Sequence, residues 1–169
     1  MKHPIIPVIL VLLLFNSCSV NYNFTGGSIE PNVKTISIQP FMNQSGLGPP
    51  TMGLQFTEKL KSFYQGNTKL TIVRDNGDWQ LEGYISGYSM TPVAPQAGAA
   101  QAGSKITLTV NVTFNDVKNE KTFRKDFSYP YIMNNAATTL SQIENDGVTI
   151  PGMMDQVVLM IFSETTSNW

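Results

Sequence analysis

The 169 residues contain one cysteine and one histidine, and both fall in the first 18 positions, as His3 and Cys18. Cys18 is the residue whose surroundings point to a definite chemistry. It follows a short basic start, Met1-Lys2-His3, and the nearly all-apolar run Pro4–Phe15. That run is shorter than the ~20 residues a membrane-spanning helix needs, and it suits the hydrophobic region of an export signal. Two cleavage patterns compete at Phe15-Asn16-Ser17-Cys18. An ordinary secretory site needs small residues one and three positions before the cut; Ser17 meets the first requirement and Phe15 fails the second. A lipoprotein site needs an apolar residue, a small residue and then Cys, and Phe15, Ser17 and Cys18 fit it. The expectation is a signal peptide over 1–17 and a Cys18 thiol that carries diacylglycerol as a thioether. Ser19 is not the Asp that retains lipoproteins at the inner membrane, and no acidic cluster follows Cys18. Both points predict the periplasmic side of the outer membrane. Several acyl chains, at ~0.8 kcal/mol per buried CH₂, make such an anchor effectively permanent.

Removing 17 residues from 169 leaves 152, with no His and with Cys18 as the sole thiol. A Ser-His-Asp triad, a Cys-His pair, a zinc site of ordinary ligands and an internal disulfide are then all excluded. No metal, cofactor or catalytic residue is expected. The remaining acids are scattered: Asp75 and Asp78 flank one predicted turn and Asp116 opens another, where carboxylates commonly form turns. The formal charge is −1, and loss of Lys2 makes it −2. Charged residues are only 14% of the chain, so the surface is wetted mainly by Thr, Ser, Asn and Gln. Nothing supplies the basic face that nucleic-acid binding requires. The densest basic group is Lys118, Lys121, Arg124 and Lys125 at a predicted hairpin. It could meet phosphates, or it could guard a sheet edge.

The elements that position these residues can be read from periodicity. Residues 18–32 are rich in Asn, Gly, Ser and Pro and read as a tether; 33–169 read as a single domain. Val33–Phe41 is a strand candidate with Ile36 and Ile38 in phase, ended by Pro40. Thr51–Tyr64 carries Met52, Phe56, Leu60, Phe63 and Tyr64 at helical spacing. Lys69–Val73 is a short strand, followed by a turn centred on Asn76-Gly77. In Trp79–Met90, Trp79, Leu81 and Ile85 share one face, while Gln80, Glu82, Tyr84, Ser86 and Tyr88 share the other. Gly83 and Gly87 mark a close approach or a bulge. Thr91–Ser104 reads as a long loop, functional or disordered. Lys105–Asn115 alternates without error, Ile106, Leu108, Val110, Val112 and Phe114 against Thr107, Thr109, Asn111, Thr113 and Asn115. Thr122–Ile132 pairs back across a hairpin turn, with Lys125 breaking its phase as edge lysines do. Thr139 and Gln142 resemble a capping box, and a main helix is expected from about Pro151 to Thr165 after a bent approach. The order reads β-α-β-β-β-α: an α+β two-layer sandwich, with a four-stranded mixed sheet and two helices on one face.

Several stretches together resemble the LPS-assembly lipoprotein family LptE in its Bacteroidota form. They are Asn21–Ile29 (NYNFTGGSI), Val33–Ile38 (VKTISI), Phe56–Lys61 (FTEKLK), Asp78–Tyr88 with its GYISGY run, and Asn168-Trp169. The chain departs from the family between Gly147 and Gly152, where an unbroken acidic amphipathic helix would be expected. The resemblance implies a lipoprotein that plugs the LptD β-barrel and helps deliver lipopolysaccharide or lipooligosaccharide to the outer leaflet, with no catalytic step of its own. Under it, Thr107, Thr109, Asn111 and Thr113 become a candidate partner face, wet but nearly uncharged as a polar barrel lumen requires; an ordinary solvated sheet face would look the same. Lys118, Lys121, Arg124 and Lys125 become candidate contacts for lipopolysaccharide phosphates. The alternative is another periplasm-facing lipoprotein module, a cell-wall or secretion factor without a lipopolysaccharide role.

Overall fold

The computed structural model describes residues 29–94, 103–133 and 138–167. Cys18, the first part of the tether, the centre of the predicted 91–104 loop and Asn168-Trp169 lie outside the described residues.

One mixed sheet is built from β1 (Thr35–Ile38), β2 (Met42–Asn43), β3 (Thr71–Val73), β4 (Trp79–Val93), β5 (Gly103–Asp116) and β6 (Lys121–Met133). The order is β3-β1-β4-β5-β6, with β2 also pairing to β4. Helices α1 (Met52–Asn67), α2 (Leu140–Asn145) and α3 (Thr149–Thr166) complete it. The α+β class and the mixed sheet are as the periodicity predicts. Among the described residues the counts are higher: six strands instead of four and three helices instead of two. The periodicity marks five strand segments, one more than the β-α-β-β-β-α order counts; all five form strands, and Met42–Asn43 adds a sixth.

β1 and β2 are one interrupted strand. Both run parallel to β4, with Ile36 opposite Trp79 and Met42 opposite Tyr84. Pro40 has no N–H to donate, so the ladder breaks there. The freed N–H of Phe41 donates instead to Thr57 Oγ1 of α1 at 2.9 Å, and that hydroxyl donates to Gly53 O at 2.8 Å. Phe41 then turns into the core against Phe56, with ring centroids 5.2 Å apart. Gly83 makes room for it. A Cβ at that position would collide with the Asn111 carbonyl and lie 2.6 Å from the Phe41 ring.

The Asn76-Gly77 turn does not close a hairpin. β3 and β4 both flank β1 and do not pair with each other. The five residues 74–78 cross the face of β1, Gly77 lying where a Cβ would strike the Ser37 backbone. The crossing is pinned at 2.9 Å by Asp78 N donating to Thr35 Oγ1, and at 3.0 Å by Gln39 Nε2 donating to Asp75 Oδ1.

A second departure lies in β4. Ile85 pairs with Val110 but Gly87 pairs with Thr109, so Ser86 is an extra residue and the strand bulges. Beyond it every side chain changes face. Tyr88, expected on the polar face, is buried to 2% exposure opposite Leu108. Among the described residues its hydroxyl has no hydrogen-bond partner. Burial first, then Glu144 and Asp146, push its pKa up to about 12. β4 and β5 also run on through Thr91–Val93 and Gly103–Ser104, so those residues are strand and not loop.

The core lies between the inward sheet face and the helices. β5 contributes Ile106, Leu108, Val110, Val112 and Phe114, each buried. α1 contributes Met52, Phe56, Leu60 and Tyr64, with Phe63 packed at the margin. α3 supplies Ile150, Met154, Val157, Val158, Ile161 and Phe162. The Tyr64 hydroxyl and Thr165 Oγ1 join the two long helices at 2.6 Å, inside the core. The expected capping box is present at Thr139 and Gln142, and Gly147, with φ 68°, turns the chain from α2 into α3. Pro151 sits in the first turn of α3, where its missing N–H costs nothing.

Candidate functional site

Because the apolar side chains of β5 are buried under helices, the alternate set must stand on the other side of the sheet. Thr107, Thr109, Asn111 and Thr113 do so, each half-buried by its neighbours. They form cross-strand rows with β4 and β6: Glu82–Thr113–Arg124, Tyr84–Asn111–Asp126 and Gly87–Thr109–Ser128. Gln80–Asn115–Thr122 closes the hairpin end, and Ser89–Thr107–Pro130 lies toward the other.

The face is a hydrogen-bonded lattice of short polar groups. Thr109 and Ser128 share a hydrogen bond of 3.0 Å, and Thr122 Oγ1 donates to Asn115 Oδ1 at 2.9 Å. Asn111 is clamped between charges: its Nδ2 donates to Asp126 at 2.6 Å and its Oδ1 accepts from Arg124 Nε at 3.1 Å. The amide spaces the two charges and offsets both, which leaves the centre of the face electrically quiet.

The structure does not gather the four basic residues into one cluster. Arg124 stands on the open face opposite Thr113. Lys125, one residue on, points to the helix side, 2.9 Å from Glu164 and 5.6 Å over the Phe127 ring. Lys121 shares that side, opposite the buried Asp116. Lys118 lies in the hairpin turn, 3.4 Å from Asp78. β6 is an edge strand, as Lys125 suggests. Pro130 on it removes one backbone donor, which also discourages pairing with a further strand.

The turn acids act as turn formers. Asp78 accepts from the backbone N–H groups of Lys34 and Thr35 at 2.9 and 3.0 Å. The Lys34 N–H leads in holding its carboxyl down to about 2, against a weaker opposing effect of burial, with Thr35 and Lys118 assisting. Asp116 accepts from the turn N–H groups of Lys118 and Asn119, both at 3.0 Å. Among the described residues no group of three His, Cys, Asp or Glu side chains is placed to hold a metal ion. Among the same residues no helix is long and apolar enough to cross a membrane.

Sequence reading missed a polar recess at the hairpin end of this face. It holds about 360 Å³ between the 74–78 crossing and the β4–β5 floor, lined by Gln39, Asp75, Asn76, Gln80, Glu82 and Asn115 among others. The residues come from separate segments, so spacing along the chain carries no signal for it. Only the crossing of 74–78 over β1 brings them together.

The class defined by this arrangement is a two-layer α+β domain whose described helices lie on one side of the sheet, with a polar face that no described helix covers on the other. The lipopolysaccharide-assembly family LptE matches residues 33–164, and the chain belongs to that family. Its role therefore lies in lipopolysaccharide assembly. Three solved structures share the fold. A hypothetical protein of Chlamydia trachomatis superposes with a TM-score of 0.54 at 12% identity, covering 79% of this chain and 95% of that one. A Xanthomonas campestris protein gives 0.52 at 10% identity, covering 83% and 90%. A dodecameric PelC variant from Paraburkholderia phytofirmans gives 0.50 at 9% identity, covering 83% and 95%. At these identities the likeness is one of fold. No curated protein matches the sequence.

Proposed function

We propose that this chain is an outer-membrane lipoprotein, anchored through Cys18 on the periplasmic side, that docks in and plugs an LptD-like β-barrel. There it assists lipopolysaccharide or lipooligosaccharide assembly without catalysing a step. The observation that carries the reading is the open face of β4–β6. Thr107, Thr109, Asn111 and Thr113 sit on it in a lattice whose one embedded charge pair, Arg124 and Asp126, is bridged by Asn111. Bridging Arg124 to Asp126 through Asn111 lowers the cost of desolvating the centre of this surface against polar side chains lining a barrel. Membership in the LptE family over 33–164 supports the same reading. Of the four basic residues at the hairpin, Arg124 is the one on this face and the first candidate for a lipopolysaccharide phosphate, with Lys118 and Lys121 at the hairpin end and Lys125 on the opposite side of the sheet.

The test is photo-crosslinking in intact cells. A crosslinker at Thr109 or Asn111 should capture a β-barrel protein, while one at the buried Leu108 should give no barrel adduct. Depletion should leave lipopolysaccharide short of the cell surface. Normal surface glycolipid with no barrel adduct from any position on the face rejects the reading, and leaves a cell-wall or secretion accessory role.

A further inference from the structure

We propose that the recess at the hairpin end of the open face binds one or two sugar rings, neutral or amino-substituted, of a lipid-linked saccharide. The inference rests on the lipopolysaccharide-assembly reading for the source of the sugar, and on the geometry of the recess for its chemistry.

The recess exists because the chain crosses β1 in only five residues. Its wall is Asp75-Asn76 and its floor is Gln80, Glu82, Thr113 and Asn115. Three of its amides are held in place. Gln39 Nε2 donates to Asp75 Oδ1 at 3.0 Å, Gln80 Nε2 donates to Gly77 O at 3.4 Å, and Asn115 Oδ1 accepts from Thr122 Oγ1 at 2.9 Å. These contacts fix the side chains while leaving hydrogen-bonding capacity on each amide. Immobilised polar groups lose little further entropy when a ligand arrives.

The chemistry of the lining selects the ligand. Amides both donate and accept, as hydroxyl groups require, and a carboxylate accepts two neighbouring hydroxyls at once. Glu82 and Asp75 supply the carboxylates, and no Lys or Arg lines the space. A phosphate or carboxylate ligand would therefore meet two like charges, of which only Asp75 has a cation near it, Arg74 at 3.9 Å and outside the lining, whereas a neutral or amino sugar meets acceptors. The volume, about 360 Å³, lies at the small end of the ~300–1,000 Å³ typical of ligand sites. That suits one or two rings better than a longer chain. The rows Gly87–Thr109–Ser128 and Ser89–Thr107–Pro130 lie farther along the sheet, so the recess meets the docking surface only at Thr113 and leaves Thr107, Thr109 and Asn111 outside its lining.

Calorimetric titration of the full lipidated chain in detergent with lipid-free core oligosaccharide tests the assignment. Saturable binding is expected, weakened at least about tenfold by Glu82→Ala and by Asn115→Leu, since each removes hydrogen bonds to the ligand. Gln156→Ala, on the exposed side of α3, should leave it unchanged. Absence of saturable binding, equal affinity in all variants, or competition by inorganic phosphate would overturn it. Barrel co-purification separates this proposal from the docking one: Glu82→Ala should keep the barrel and lose the sugar. A chain that binds sugar but never a barrel rejects only the docking.

Discussion

Trp79 Nε1 donates a hydrogen bond of 2.8 Å to Asp116 Oδ2, tying the first residue of β4 to the last of β5 inside the protein. The same carboxylate holds the hairpin that follows. Asn119 Nδ2 donates to Oδ2 at 2.8 Å, and the Lys118 and Asn119 N–H groups donate to Oδ1. A residue only 4% exposed therefore accepts from four donors, which offset the cost of burying its polar oxygens. Asp116→Ala orphans the indole N–H and the turn together. The expected loss is about 2–4 kcal/mol, read as a lowered urea midpoint, with Asp116→Asn losing less because its oxygen keeps part of the set.

Gly83 and Gly66 make a contrast in what a methyl group does. Gly83→Ala drives its Cβ into the Asn111 carbonyl and the Phe41 ring, so β4 or Phe41 must shift. A loss of about 2 kcal/mol or more is expected. Gly66→Ala in α1 meets nothing within 4 Å, and helix propensity predicts a gain of up to about 1 kcal/mol. Thermal denaturation of the pair checks both signs, and a neutral Gly83→Ala contradicts the packing described.

Thr57 carries the break in the β1–β2 strand. Thr57→Val keeps the shape of the side chain and removes the acceptor of the Phe41 N–H. That buried N–H is then unpaired, at a cost of about 1–3 kcal/mol. Thr57→Ser should recover most of it. Chemical denaturation of the three proteins gives the comparison, and equal stability of Thr57→Val and the parent would show that the Phe41 N–H finds another partner.

Asp78 sets a pH dependence. Its carboxyl is held at about 2, chiefly by the Lys34 N–H, below the ~3.9 of an unfolded chain. A depressed folded value stabilises the ionised state, so its contribution is fully present above about pH 4. It fades as pH falls toward about 2 and is gone below that. Asp78→Asn should flatten the stability profile across that window and leave its shape above pH 5 unchanged. An identical acid limb in both proteins contradicts the assignment.

Much of the fold follows from local pattern. The alternation of Lys105–Asn115 specifies a strand with one buried face, because five aligned apolar side chains stabilise the fold only if all face the core together. The Met52-Phe56-Leu60-Tyr64 stripe, the Thr139–Gln142 box and Pro151 likewise state their roles within a few residues of themselves. These are short-range effects of side-chain spacing and backbone chemistry, and the sequence by itself determined them.

What only the tertiary structure decided involves partners distant in the chain. The Ser86 bulge depends on how β4 registers against β5, and it moves Tyr88 from the expected open face into the core. The turn at 74–78 has the residues of a hairpin, but pairing of β3 and β4 with opposite sides of β1 makes it a crossing and creates the recess. The basic run 118–125 is dense in sequence yet divided in space, because neighbouring residues of a strand point to opposite faces. Arg124 and Lys125 thus sit on two sides of one sheet, the first bonded to Asn111 and the second to Glu164 of α3.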